Sequence, residues 1–417
     1  MARGIRPAHG PAGILYLATT FPRLSETFLR REVACLYALL PLELISLWRG
    51  GQAAEPTATS LLPGNLNALL PSLATRLARE PGRWREVVAT ASRHSPRSPL
   101  QWQELLLGLG AGVLLAQRHR PSPPAWIHAA WASAPATAAW VLHRTRGWPY
   151  SFEAHAYDLF QDGGDPLLAE KIATARWIRT STRAARRELL ARGARPEQVL
   201  LIRRGLPSLP PARSHENLQP ATAPEARPLH LLSVGRLVPK KGFHRQLDIY
   251  AALAQRGTPF HATVIGDGPE RARLAARAAA LGLHDRVTFR GAAPNTEIFA
   301  ALATTDLFLF TGVIAADGNR DGLPNAVAEA MAASIPVLAH DLPGVAEAIR
   351  DGETGALLPS LEPTAWARRI LALANEPRER ERLGRNARQW VLDHFRTEEN
   401  TRLLAAQLRT SAGLAAP

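Results

Sequence analysis

Apolar and polar positions along the chain alternate between short apolar runs and stretches of helical period, and the alternation occurs twice. Gly13–Thr20 reads as a buried strand, followed by the turn Phe21-Pro22-Arg23-Leu24 and a helix from about Ser25. Ser25 suits an N-cap, Glu26 the first turn, and Phe28, Val33, Leu36 and Leu40 fall among the apolar positions. Leu42–Leu47 is a second strand, whereas residues 50–125 mix helical segments with Pro/Ser-rich breaks and give no clear pattern. Trp126–Ala129, Tyr150–Ala154 and Trp177–Ser181 are short strand candidates between helical stretches. From Leu206 to Pro228 six prolines punctuate polar filler, the mark of a linker. Beyond it the spacing predicts strands at 229–234, 260–266, 287–290, 306–311 and 335–340. It predicts helices near 242–256, 269–281, 295–303, 324–333, 344–350, 363–374, 379–393 and 397–412. Strands alternating with helices predict parallel sheets, hence an α/β chain of two doubly wound domains around a cleft. The divisions read as 1–205, a linker at 206–228, a second domain at 229–395 and a helical segment at 396–417.

Length and composition narrow this picture. A chain of 417 residues can form two or three domains with sizeable cores. Its single cysteine, Cys35, excludes an internal disulfide framework and fits a reducing compartment. The N-terminal segment lacks the pattern of a secretory signal. The longest apolar run, Leu105 to Ala116, holds three glycines in 12 residues, which is too short for a membrane span; it reads as a core helix, with an interfacial segment pressing on the membrane as the second reading. The expectation is a cytoplasmic protein, soluble or held peripherally at the inner face of the membrane.

The net charge of +14 is uneven: residues 1–205 carry 26 Lys/Arg against 14 Asp/Glu, and residues 206–417 carry 24 against 22. A basic first half faces an acidic partner, whether nucleic acid, anionic headgroups or a phosphorylated acceptor, unless the arginine excess is compositional drift alone. A nucleic-acid module would show basic residues interleaved with aromatics or a known reading motif, and neither is visible.

The stretch Asp321-Gly-Leu-Pro-Asn-Ala-Val-Ala-Glu329 carries the most chemistry. Pro324 suits the first helical position, and Leu323 to Ala326 would offer unpaired N–H groups that attract an anion with help from the helix dipole. Asn325 and Glu329, four apart, share one face just inside that helix. Phosphate oxygens and hydroxyls, as found together in a sugar nucleotide, suit such a mouth. A second strand–loop, Leu231-Leu-Ser-Val-Gly-Arg236-Leu-Val-Pro-Lys-Lys241, holds two of only three lysines in an Arg-rich chain. A compact ammonium serves as a point charge for phosphate, and Arg236 adds a planar fork. Gly266-Asp-Gly268 follows a strand, but Arg271 stands where a dinucleotide fingerprint needs its third glycine, which disfavours a nicotinamide site.

Gly235-Arg236 with Lys241-Gly242, the Gly266-Asp-Gly-Pro turn, Val287-Thr-Phe-Arg-Gly291 and Asp321-Gly-Leu-Pro-x4-Glu329 closely resemble, in order and spacing, the donor domain of retaining glycosyltransferases of family four, with the GT-B fold. Thr20–Phe28, Ile127–Ser133 and Ser151-Phe-Glu-Ala-His155-Ala-Tyr-Asp158 are similar to the acceptor domain of its exopolysaccharide, colanic-acid-type branch. The resemblance implies two Rossmann-like domains facing a cleft and a C-terminal helix crossing back to the first. It implies retaining transfer of a hexose-like unit from a nucleoside diphosphate sugar to a carbohydrate or lipid-linked acceptor, without a metal ion or other cofactor. Arg236 and Lys241 would neutralise the leaving diphosphate. Asp321 and the backbone around Gly322, Leu323, Asn325 and Ala326 would hold sugar and phosphate, and Glu329 the ribose hydroxyls. Gly266 and Arg290 would lie near the base, and His155 and Asp321 at the reacting centre.

Four positions depart from that pattern. Asp321 replaces the usual Glu, Ala130 replaces the second imidazole of a His-x-His pair begun by His128, Glu153 replaces the commoner Thr, and Arg203-Arg-Gly-Leu-Pro207 loses an acid. Together they leave open a catalytically degenerate sugar-nucleotide or polyanion binder of the same fold. Asp158 reads as a support for the His155 loop, and Glu347 as either a solvated face or a functional position.

Overall fold

The computed structural model of the chain describes residues 13–23, 27–51, 56–62, 64, 66–206, 208–213 and 227–415. They form two compact units, Met1–Pro207 with Thr397–Pro417, and Ser208–Arg396. The predicted N-cap Ser25 and first-turn Glu26 lie outside the described residues.

The first unit is built on seven strands: β1 (Ile14–Phe21), β2 (Leu42–Arg49), β3 (Thr59–Leu62), β4 (Trp126–Ala129), β5 (Tyr150–Glu153), β6 (Trp177–Thr180) and β7 (Val199–Leu201). They pair in the order β3-β2-β1-β4-β5-β6-β7, every pair parallel. Its helices are α1 (Thr27–Leu39), α2 (Leu66–Arg79), α3 (Pro81–Ser92), α4 (Pro99–Arg118), α5 (Ala134–Arg146), α6 (Tyr157–Phe160), α7 (Leu168–Thr174) and α8 (Arg183–Ala191). Parallel strands are covered on both faces, so they read as continuous apolar runs. The stretch without a clear pattern, 50–125, forms β3 and the three helices α2 to α4. Within α4 the apolar run is a core helix, with Leu105, Val113, Leu114 and Leu115 buried. Its glycines allow α5 to approach: a Cβ at Gly108 would lie 2.5 Å from Thr137 Cβ, and one at Gly112 2.6 Å from Val141 Cβ.

The second unit holds β8 (Leu229–Val234), β9 (Phe260–Ile265), β10 (Val287–Gly291), β11 (Leu307–Phe310), β12 (Val337–His340) and β13 (Ala356–Leu358). Their order is β10-β9-β8-β11-β12-β13, again all parallel. Helices α9 (Phe243–Gln255), α10 (Arg271–Ala280), α11 (Asn295–Thr304), α12 (Asn325–Ala332), α13 (Pro363–Asn375) and α14 (Pro377–His394) cover it. In both units the strand order reverses beside the first strand, the topological switch point where open α/β sheets bind ligands. The described ends of the Pro-rich segment are fastened to this unit. Arg213 and Arg227 both pair with buried Asp306, at 3.0 and 2.8 Å, and the His230 N–H donates to the same carboxylate. Burial alone would raise the Asp306 pKa, but these donors outweigh it and hold it low.

Three elements differ from the sequence reading. The edge strands β7 and β13 are three residues long, too short to show a period. The helix expected at 344–350 is a run of separate turns, with Val345 and Ala346 N–H both donating to Leu342 O and Ile349 N–H to Val345 O. Thr354 Oγ1 then takes the Ala348 carbonyl and accepts the Arg350 N–H, ending the spiral before it can propagate.

Finally, α15 (Thr397–Ser411) crosses back to the first unit, as expected. It buries Leu404 and Leu408 in one cluster with Leu29, Val33 and Leu36 of α1. Arg31 pairs with Glu398 at 2.8 Å, and Trp177 Nε1 donates to Ser411 Oγ at 2.9 Å. Leu404→Ala should therefore lower the stability of the first unit by about 2–5 kcal/mol, read as a shifted urea midpoint; an unchanged midpoint would show that α15 is not part of that core.

Candidate active site

At the carboxyl ends of β8, β9, β11 and β12 the second unit gathers its loops through backbone contacts. Gly235 N–H donates to Ile265 O, Leu237 N–H to Asp267 O, and Gly266 N–H to Gly291 O. Gly266 has φ of 149°, and a Cβ there would lie 1.9 Å from Gly235 O, so the tightness of this turn is spent on the neighbouring β8 loop. Val313 N–H donates to Lys240 O, and Thr311 Oγ1 lies 3.1 Å from Gln246 Oε1, tying the β8 loop to the end of β11. His340 Nδ1, on β12, is 2.7 Å from Gly312 O.

The predicted helix mouth forms on this platform. α12 begins at Asn325, with Pro324 as its N-cap rather than its first helical residue, and Pro324 O accepts from Val327 and Ala328 N–H. The shift lies within the ambiguity of helix ends. The amides of Leu323, Asn325 and Ala326 have no backbone partner among the described residues. Behind them Val327, Ala328, Ala330, Met331 and Ala332 are buried, so the small-residue helix is anchored on all sides. Gly322 is fixed by the loop after β12, since a Cβ at Gly344 would lie 2.6 Å from the Gly322 carbonyl carbon.

Asp321 sits before this mouth, and both its oxygens are engaged. Lys240 Nζ lies 3.1 Å from Oδ1, and Lys241 Nζ 2.6 Å from Oδ2. Burial would raise the Asp321 pKa, yet the two ammonium groups hold it below the ordinary carboxylate value. Lys240 is itself lowered by burial, in spite of Asp321, and it donates to Asn319 Oδ1. Two lysines against one aspartate leave a positive remainder, and exposed Arg236 adds to it. The spacing assigns Lys241 to phosphate and gives Lys240 no separate role; in the structure both pair with Asp321. The Lys-Lys doublet in a chain otherwise using Arg was the available signal.

Glu329 differs in kind. It is 7 % exposed, its carboxyl has no hydrogen bond or ion pair among the described residues, and burial raises its pKa to about 7. A carboxyl near neutrality beside a helix N-terminus can donate or accept, which suits a vicinal diol. Asn325 is half-buried one turn earlier. Arg290 is exposed and lies 3.6 Å from Glu297, while the Gly291 that follows it joins the platform.

His155 belongs to the first unit. Its loop is held by Asp158, whose carboxylate accepts the N–H groups of Ala132, His155 and Ala156, the supporting role expected for it. The imidazole is 6 % exposed, with Nδ1 3.1 Å from Ser181 Oγ and Nε2 2.9 Å from Glu153 Oε2. Burial, and then the charge of Arg204, push its pKa down to about 4. Fully buried Glu153 also meets His128 at 3.2 Å, Arg179 at 2.7 Å and Arg204 at 2.8 Å. The Arg204 guanidinium lies 4.4 Å from the ring centres of both Phe28 and Trp131. Neither Arg179 nor Arg204 was singled out from the sequence, because their partners are 26 and 51 residues away.

Residues 214–390 match the family described as Glycosyl transferases group 1. The second unit is a group 1 glycosyltransferase domain. The chain is 34% identical over 192 residues to the putative colanic acid biosynthesis glycosyltransferase WcaL of Escherichia coli K12, covering 46% of this chain and 47% of that protein. It is 34% identical over 187 residues to the amylovoran biosynthesis glycosyltransferase AmsK of Erwinia amylovora, covering 45% and 44%. It thus spans about half the length of the curated relatives it matches. Across nearly the whole chain the fold is that of GT-B glycosyltransferases. Anabaena HepE in complex with UDP and glucose aligns over 96% of this chain and 100% of its own, at TM-score 0.67 and 18% identity. Sucrose-phosphate synthase from Thermosynechococcus elongatus aligns over 96% and 98%, at TM-score 0.68 and 16% identity. The two Rossmann-like sheets are those of this fold, and the loops of the group 1 domain carry the donor-site candidates.

The Glu329 carboxyl gives this domain a defined pH response. Its folded pKa, about 7, exceeds its ordinary 4.5, so between these values the folded domain holds a proton that the unfolded chain does not. Stability from this group is complete below pH 4.5 and falls as pH rises through 7, by about 3 kcal/mol. Glu329→Gln should raise Tm at pH 8 and leave it unchanged at pH 4; equal shifts at both values would show that Glu329 is not titrating as described.

Proposed function

We propose that the protein is a retaining glycosyltransferase that moves a hexose-like unit from a nucleoside diphosphate sugar to a carbohydrate or lipid-linked acceptor in polysaccharide biosynthesis. The observation that carries this reading is the α12 mouth, where unpaired amides, the Lys240–Asp321–Lys241 cluster and unpartnered Glu329 stand together. A diphosphate needs charge neutralisation as it leaves, and fixed amides and cations supply it without reorganisation. In this reading Arg236 and Lys241 face the diphosphate, the Gly322–Ala326 backbone holds phosphate and sugar, Glu329 takes the ribose hydroxyls, and the Gly266 and Arg290 loops border the base. Asp321, held ionised by two lysines, accepts from the sugar hydroxyls, and His155 contributes from the first unit. These cations stand in for a metal ion, so EDTA should leave turnover unchanged.

The HepE structures that share the fold contain UDP or UDP-glucose, which supports a nucleotide-sugar donor. The names of WcaL and AmsK support an exopolysaccharide product. The basic first half supports an acceptor presented at an anionic membrane surface. No described helix is long and apolar enough to cross a membrane.

Incubation with UDP-, GDP- and ADP-sugars, followed by nucleotide release, tests the reading. Turnover is expected with one of them. Lys241→Ala should lower kcat/KM by about 100-fold, because it removes a phosphate cation and releases Asp321 together. Glu329→Ala should act mainly through donor KM, by about tenfold. Neither binding nor turnover with any sugar nucleotide would overturn the proposal.

A further inference from the structure

We propose that Glu153 and Arg204 act as a charge-balanced positioning pair that fixes His155 as a neutral, Nε2-protonated imidazole for the transfer reaction. The inference rests on the transferase reading above. The geometry leaves one tautomer. Nε2 is 2.9 Å from a carboxylate oxygen, which only accepts, so Nε2 must carry the proton. Nδ1 then accepts from Ser181 Oγ at 3.1 Å, a hydroxyl free to turn toward it.

The carboxylate that imposes this choice cannot easily release it. Its two oxygens divide four donors: His128 and Arg179 on Oε1, His155 and Arg204 on Oε2. Arg179 is shared with Glu32 at 2.6 Å, so two carboxylates face two guanidinium groups in a buried layer. A proton added to His155 would break that balance. The charged groups around the ring are Glu153 from β5, Arg179 from β6, Arg204 beyond β7, and Asp158 from α6, whose carboxylate is spread over three amides. The Trp131 ring stands edge-on, 5.7 Å away. The low His155 pKa agrees with the geometry: burial and Arg204 together outweigh Glu153.

The role is therefore orientation rather than proton transfer. With both nitrogens committed, His155 presents a fixed ring and a fixed backbone, and Arg204, clamped between Phe28 and Trp131, keeps Glu153 from rotating. Removing Glu153 alone would leave two guanidinium groups, that of Arg179 fully buried, against the one carboxylate of Glu32. The informative variant is thus the neutral double substitution Glu153→Thr with Arg204→Gln, which leaves the Glu32–Arg179 pair intact.

The test is 15N spectroscopy of labelled histidine, with the His155 signal assigned by its loss in His155→Gln, alongside the pH profile of nucleotide release. The unsubstituted chain should show one Nε2–H tautomer, neutral from pH 8 to about 5, and no acid limb from this ring above pH 5. The double variant should show mixed tautomers of a ring that stays neutral at pH 5, because the burial that lowers its pKa remains. Its kcat should fall about tenfold with donor KM changed less than about twofold. An unchanged tautomer in the double variant overturns the proposal, and so does a changed tautomer with unchanged kcat. A fixed tautomer in a chain that turns over no sugar nucleotide overturns the transfer role and the reading beneath it, an outcome told apart because the tautomer is read without substrate.

Discussion

The ion contact between Asp321 and the two lysines of the β8 loop organises the second unit. A parallel sheet delivers its loops to one edge but does not set their spacing. Here a carboxylate before α12 bridges to two ammonium groups after β8, so the helix mouth and the cationic loop are held as one surface. Burial would otherwise disfavour the charge on Asp321 and on Lys240, and each makes the other tolerable. The excess cation, together with amides and a Glu329 carboxyl that have no partner among the described residues, is what remains for a ligand.

The first unit applies the same physics with the opposite result. Its charged layer of Glu32, Arg179, Glu153 and Arg204 closes on itself, with nearly every group directed at another. Such a layer specifies geometry more than it adds stability, because desolvation offsets much of the attraction between buried ions. All three lysines follow one rule. Lys171 meets Asp165 at 2.6 Å, and Lys240 and Lys241 meet Asp321, so every ammonium in this Arg-rich chain is set against a carboxylate. The arginines are spread far more widely over the surface, from Arg195 to Arg385.

Much of the second unit was legible from residue order alone. Its first five strands and its long helices follow from apolar runs bounded by Gly and Pro, and the residues from Asp321 to Glu329 lie close enough in sequence for spacing to show a helix mouth. The turns at 344–350 were not legible, since helical composition there is overridden by Thr354 and by the approach of Gly344 to Gly322. Residues 50–125 were obscured because Pro71, Pro81 and Pro99 fall inside or at the starts of helices, where proline is permitted but reads as a break.

By itself the sequence determined the α/β alternation, the two doubly wound units, the helix mouth and the basic character of the first half. These depend on local periodicity and on residues within one turn or loop of each other. Only the tertiary structure decided which charges meet. Lys240 beside Lys241 on Asp321, and Glu153 bound to His128, Arg179 and Arg204, join positions 25 to 81 residues apart, and the near-neutral Glu329 depends on burial. A pairing across strands is set by sheet order and register, and the protonation of a buried group by its desolvation, and neither is written in the spacing of residues along the chain.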